Sequence, residues 1–207
     1  MLVLHDNTES GNAYKVRLLL SQLELDFKTI QYDVVKGETR STAFLSAINN
    51  NGRIPVVEFE DGRCLAESNA ILYYFARDTA FFPDDKWQQA EVMKWLFFEQ
   101  YSHEPFVAVA KYILTMLPDD SPRRAEIPLL HTKGYDALAV MENRLKDHEF
   151  LVGDGYSIAD IALFAYSHNA EMGDFNLSRF PAILRWIDRI KATPGYIVMY
   201  PEGWTRQ

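Results

Sequence analysis

Apolar and polar positions divide this chain into two parts with different rhythms. In the first, short strand-like runs take turns with helical spacing. Leu2-Val-Leu4 reads as a short buried strand, and Val16, Leu19, Leu20 and Leu23 recur at the i, i+3, i+4, i+7 positions of one helix face. Lys28 to Asp33 alternates polar with apolar and reads as a second strand, while residues 39–47 carry a weaker helical pattern around Phe44, Leu45 and the following Ile48. Pro55 to Phe59 and Arg63 to Ala66 flank Glu60-Asp61-Gly62-Arg63, where an Asp-Gly pair can take the positive φ angles of a tight turn, so a hairpin is expected. Ser68 to Arg77 reads as a helix with Ile71, Tyr74 and Phe75 on one face. The order β-α-β-α-β-β-α describes two parallel crossovers and a terminal hairpin, hence a mixed sheet with helices on its faces.

The second part has no strand signal. Residues 86–117, 125–147, 157–170 and 179–192 read as helices, and the boundary falls between Asp78 and Lys86, where Pro83 and the pair Asp84-Asp85 break the pattern. The expected fold is α/β followed by all-α. Residues 1–78 have the element order of thioredoxin-like domains, and residues 86–207 form an all-helical domain.

Composition narrows the field. The chain has 207 residues, enough for one large domain or two small ones, and its apolar fraction of 48% and charged fraction of 24% exclude a disordered or low-complexity polymer. A net charge of −8 repels phosphate backbones, so nucleic acid is not an expected partner. No apolar run approaches the ~18 residues of a membrane span. Cys64 is the one cysteine, which excludes an internal disulfide and a CxxC pair; with no signal peptide at the start, a reducing cytoplasmic setting is expected. The histidines show no ligand spacing, since His103-Glu104 is followed by Val at 107, and no metal is expected.

Three stretches carry chemistry. Thr8 to Leu20 joins the first strand to the first helix and puts Ser10 near a helix N-terminus, where free N–H groups and the dipole favour an anion. Ser10 or Asn12 can cap the helix there; a serine hydroxyl can also donate a hydrogen bond to a thiolate supplied by another molecule. Gly52-Arg-Ile-Pro55 enters a strand, and its X-Pro bond is either an ordinary strand start or a cis bond that would leave the Ile54 N–H and C=O open to an extended peptide. In Leu65 to Ile71, Ser68 is expected to cap the next helix, and the adjacent Glu67 is suited to a ligand's ammonium group while the helix start takes its carboxylate.

In this order, and ahead of an all-helical part, these stretches resemble the cytosolic glutathione transferase family over nearly the whole chain. Ser10-Gly-Asn-Ala-Tyr-Lys-Val16 is similar to the serine-type activation motif, Arg53-Ile-Pro55 to the cis-proline stretch, and Glu67-Ser68 to the pair that grips the γ-glutamyl group. Ser157-Ile-Ala-Asp160, after Phe150-Leu-Val-Gly153, is similar to the capping box of the helical domain, and the residues alone give it a purely structural role. The resemblance implies glutathione as co-substrate, Ser10 and Asn12 as catalytic residues, and Arg40, Arg53, Ile54, Glu67 and Ser68 as glutathione-binding residues. The glycine carboxylate could meet Lys36, Thr39, Arg40 or Arg53, with Arg53 and Arg40 preferred.

The resemblance also implies a two-fold homodimer and a small hydrophobic electrophile held between the domains. Aromatic residues near the middle of the first long helix (Phe97, Phe98, Tyr101, Phe106) and Trp204 in the tail supply candidates, of which Tyr101 and Trp204 are selected; aromatic residues at helical spacing also make ordinary core. The chain departs from the family where other classes place a tyrosine near the end of the first strand, because His5 and Asp6 stand there. It departs again at Asn49-Asn-Asn-Gly52, which stands where an Asn-Pro-x-Gly stretch is common. Two other readings remain open: a glutathione-dependent disulfide reductase or peroxidase, for which Asn12 argues, and a non-catalytic binding protein.

Overall fold

The computed structural model describes residues 1–153 and 155–204, which fall into two units: Met1–Arg77 together with the tail from Thr193, and Asp78–Ala192.

The first unit is built on a four-stranded sheet. Strands β1 (Leu2–Asp6), β2 (Phe27–Gln31), β3 (Val56–Glu58) and β4 (Cys64–Ala66) lie in the order β2-β1-β3-β4. β1 runs parallel to β2 and antiparallel to β3, and β4 is antiparallel to β3. Helices α1 (Gly11–Gln22), α2 (Thr42–Ala47) and α3 (Ser68–Ala76) complete the unit, with a 3-10 turn over Glu38–Arg40 ahead of α2. Leu4, Val16, Leu20, Val57 and Ile71 form a buried cluster, with Leu2, Phe27, Phe59, Leu65 and Phe75 packed against it. The expected helix spacing of α1 therefore meets one face of the sheet.

β1 runs two residues beyond the apolar Leu2–Leu4 because the buried His5 and Asp6 both find side-chain partners. Arg17 Nη1 donates to the two Asp6 carboxylate oxygens at 2.6 and 2.7 Å, and Gln31 Nε2 donates to Asp6 Oδ2 at 2.8 Å. In the hairpin turn, Gly62 takes a positive φ of 81° while Asp61 does not, and the Gly62 N–H donates to the Phe59 carbonyl. The face of α3 differs from the one expected: Ile71 and Leu72 are buried and Tyr74 is exposed, because the helix turns its 71/72/75/76 side inward.

The tail also departs from the expected division. Instead of continuing the helical part to residue 207, it packs on α1: Tyr14 donates to the Ile197 carbonyl at 2.6 Å, Ser21 to Gly195, and Arg17 to Met199.

The second unit contains α4 (Lys86–Phe98), α5 (Glu104–Met116), α6 (Ile127–Leu145), α7 (Ile158–Ser167) and α8 (Pro181–Lys191). The single helix expected over 86–117 is split by a π-helical turn at Glu99–His103. Pro105 explains the split, since it has no N–H to donate one turn back and the hydrogen-bond ladder shifts register. All of α7 is buried. Its capping box forms, with Asp160 Oδ2 accepting from the Ser157 N–H at 3.0 Å. The second Asp160 oxygen accepts from the Leu151 N–H at 3.0 Å and from Trp186 Nε1 at 2.9 Å, so one carboxylate joins α7 to α8 and the preceding loop. Burial raises the Asp160 carboxyl to about 6 against these hydrogen bonds. Gly134 on α6 leaves room for Phe175, whose ring would lie 2.5 Å from any Cβ placed there.

Candidate functional site

Sheet register brings the three singled-out stretches to one end of the sheet. His5 of β1 is opposite Val56 of β3, and Val56 is opposite Ala66 of β4. From this row the chain leaves β1 toward Ser10, arrives at β3 from Ile54-Pro55, and leaves β4 at Glu67.

Ser10 is the N-cap of α1, its Oγ accepting from the Ala13 N–H at 3.2 Å. A hydroxyl used as an acceptor keeps its hydrogen for donation, so capping and thiolate binding are compatible in one side chain. Asn12, in the first turn of α1, accepts at Oδ1 from the Ser68 hydroxyl at 3.1 Å. Lys15 Nζ donates to Ser68 Oγ and to Asn69 Oδ1, each at 3.3 Å. The starts of α1 and α3 are thus tied side by side.

Glu67 holds the N-cap position of α3 with φ 69° and ψ 110°. The cap expected of Ser68 does not form. Ser68 is the first residue of the helix, and its hydroxyl is turned to Asn12 and Lys15. A non-glycine residue at this φ is held at a cost of ~1–3 kcal/mol, and such residues gather at functional sites. The Glu67 side chain is exposed, and no described residue forms an ion pair with it.

The peptide bond Ile54–Pro55 is cis. No backbone hydrogen bond between described residues uses the Ile54 N–H or C=O. In the preceding loop, Arg40 Nη1 donates to the Asn51 carbonyl at 3.0 Å and its guanidinium lies against Gly52, which has φ +63° and no Cβ to obstruct it. Arg40 therefore spends one donor on the loop, while Arg53 is exposed and its carbonyl accepts from Asn49 Nδ2. Of the other carboxylate candidates, Thr39 is buried and Lys36 pairs with Asp33.

The two electrophile-pocket candidates are in different units. Tyr101 is 85% exposed in the π-helical turn of the second unit, and Trp204 is half-buried in the first, stacked on Tyr200 with ring centroids 4.6 Å apart. Among the described residues no cluster of three His, Cys, Asp or Glu side chains could hold a metal ion, and no helix is long and apolar enough to cross a membrane.

Lys15 and Asn69 escaped the sequence reading. Lys15 is fully buried, and a lone cation inside an apolar helix face reads as a surface residue. Its i+3 spacing from Asn12 was the available signal, because it puts both on the same face of α1.

Comparison with known proteins identifies the family. Residues 2–77 match the family model "Glutathione S-transferase, N-terminal domain", and residues 107–194 match "Glutathione S-transferase, C-terminal domain". The crystal structure of a glutathione S-transferase from Pseudomonas fluorescens Pf-5 is 46% identical, with a TM-score of 0.92 over 96% of this chain and 98% of that one. Ure2p in complex with glutathione is 25% identical, with a TM-score of 0.82 over 94% and 95%. The disulfide-bond oxidoreductase YfcG of Escherichia coli K12 is 29% identical across 88% of this chain and 87% of its own length.

Proposed function

Because the chain belongs to the glutathione S-transferase family, we propose that its first unit binds glutathione and activates the thiol for transfer to small hydrophobic electrophiles. The observation that carries this reading is the Ser10 hydroxyl, which caps α1 as an acceptor and retains a hydrogen at the end of the sheet where Ile54 and Glu67 also lie.

A free thiol has a pKa near ~8.5, leaving roughly 3% thiolate at pH 7. Lowering it by about two units requires ~2.7 kcal/mol of preferential stabilisation of the anion. A hydrogen bond to a charged group supplies ~1.5–3 kcal/mol, and a helix N-terminus adds ~0.3–1. Ser10 with the start of α1 is sufficient, and Ser10 acts as a donor without ionising. The tripeptide backbone pairs with Ile54, Glu67 takes the γ-glutamyl ammonium, the start of α3 takes the adjacent carboxylate, and Arg53 with Arg40 takes the glycine carboxylate. In conjugation the thiolate forms a bond to the electrophilic carbon and the leaving group departs with its electron pair. Tyr101 and Trp204 are the proposed contacts of the electrophile. The same reading takes the working form as a cytoplasmic homodimer in detoxification.

A second reading keeps glutathione and changes the acceptor: the thiolate attacks a disulfide sulfur and releases the other sulfur as a thiolate. Similarity to a disulfide-bond oxidoreductase and the Asn12 amide beside Ser10 favour it. Parallel turnover with a chlorinated aromatic, a small organic peroxide and a mixed disulfide decides between transfer, peroxidase and reductase chemistry. Conjugation of the chlorinated aromatic is the expected result. Turnover confined to the disulfide would replace transfer by reduction, and an absence of glutathione affinity in an equilibrium titration would leave a binding protein without this chemistry.

A further inference from the structure

His5 is buried near the end of β1, and the proposed chemistry makes no use of it. It is 2% exposed at the C-terminal end of β1 and bridges two strands. Its Nδ1 is 2.9 Å from the Tyr32 hydroxyl, just past the end of β2, and its Nε2 is 3.0 Å from Glu58 Oε2 on β3. Burial, followed by the charges of Glu58 and Glu38, raises the Tyr32 phenol, so Tyr32 keeps its proton. A carboxylate only accepts. One imidazole serves both neighbours, Nε2–H donating to Glu58 while Nδ1 is hydrogen-bonded to the Tyr32 hydroxyl. The two bonds together hold the Tyr32 hydroxyl, and with it the ring, in place.

That ring supports α2. The helix has six residues, too few to be stable unaided. Phe44 is its one fully buried side chain among the described residues. Phe44 meets Tyr32 edge-on with centroids 4.9 Å apart and His5 at 6.3 Å. Arg40 lies immediately before α2 and clamps the loop that leads to Ile54. Tyr32 is also bound to the β1 exit: its N–H donates to the Asp6 carbonyl and its carbonyl accepts from Asn7 Nδ2.

We propose that Tyr32, His5 and Glu58 are positioning residues that seat α2 through Phe44 and so hold Arg40 and the Ile54 loop in register for the glycine end of glutathione. This rests on the reading of the site given above. None of the three touches the reacting sulfur; they act through Phe44 and Arg40.

Tyr32→Phe keeps the ring on Phe44 and removes the hydroxyl that orients it. In this variant, hydrogen exchange of the amides over 42–48 should quicken by at least about fivefold, and KM for glutathione should rise about three- to tenfold with kcat within about twofold. Glu58→Ala should act in the same direction through a less firmly held imidazole, and it serves as the second probe should Tyr32→Phe fold poorly. Unchanged exchange over 42–48 in a variant with an unaltered Tm would overturn the anchoring role. A fall in kcat with KM unmoved would overturn it as well, since it would make the trio part of the chemistry. If wild-type protein bound no glutathione, the ligand assignment would fall on its own, and the exchange comparison would still judge the anchor.

Discussion

Ser68 donates to Asn12 across 3.1 Å, joining the first turns of two helices that are 56 residues apart in sequence. The bond fixes the distance between the turn that carries Ser10 and the turn that carries Glu67. A thiol and an amino-acid head bound at these two turns are therefore spaced by protein geometry before any ligand arrives, which is the entropic advantage of a preformed site.

Ser10→Ala should remove most of the turnover with a chlorinated aromatic and leave glutathione affinity within about threefold, because the hydrogen bond lost is one made to the thiolate. Loss of the cap should also cost about 1 kcal/mol of stability. Steady-state kinetics beside isothermal titration separates the two effects, and undiminished turnover would rule out the donor role.

Glu67→Ala should weaken glutathione binding about tenfold or more while leaving the thiol pKa of bound glutathione in place. Glu67→Gly should weaken binding as much and yet match or exceed wild type in Tm, since relief of a positive φ (~1–3 kcal/mol) outweighs the entropy of a glycine (~0.5–1 kcal/mol). Equal dissociation constants for wild type and both variants would refute the receptor role.

The buried pair Asp6–Arg17 gives a prediction about folding alone. Arg17→Met leaves the Asp6 carboxylate buried with Gln31 as its remaining side-chain donor, and should cost about 3–5 kcal/mol. The double variant Asp6→Leu with Arg17→Met should recover part of this in urea denaturation. Additive losses would show that the charge pairing is not what the single variant breaks.

Asp160 sets a pH dependence. Its carboxyl is raised by burial to about 6 from an ordinary 3.8, so the folded protein binds the proton more tightly than the unfolded chain. Stability from this group is fully present below about pH 4 and is lost as the pH rises through 6, by about 3 kcal/mol in all. Asp160→Asn abolishes that titration. Its stability deficit relative to wild type should be larger at pH 4.5 than at pH 7.5, and a deficit independent of pH would show that the hydrogen bonds from Ser157, Leu151 and Trp186 outweigh the burial of Asp160.

The alternation of elements, the domain order and the three stretches that meet at one end of the sheet were legible because each rests on a local pattern: periodicity, an Asp-Gly turn, an X-Pro entry, a serine at a helix start. What escaped was non-local. Lys15 is buried with Ser68 and Asn69, more than fifty residues on, accepting from it. Ser68 reads as a cap in one dimension and becomes a cross-link in three. The π-helical turn was signalled by Pro105, yet periodicity counts across such a turn without registering the extra residue. The tail carries too little pattern to reveal that it returns to α1.

That return has a bearing on proteolysis. Tyr14, Arg17 and Ser21 find their partners in residues 195–199, so the thioredoxin-like unit is assembled from two segments separated by the whole helical unit. Severing the chain between 193 and 195 would strip α1 of the partners of Tyr14, Arg17 and Ser21, so damage there registers in the sheet-bearing unit and not in the helices that directly precede the cut.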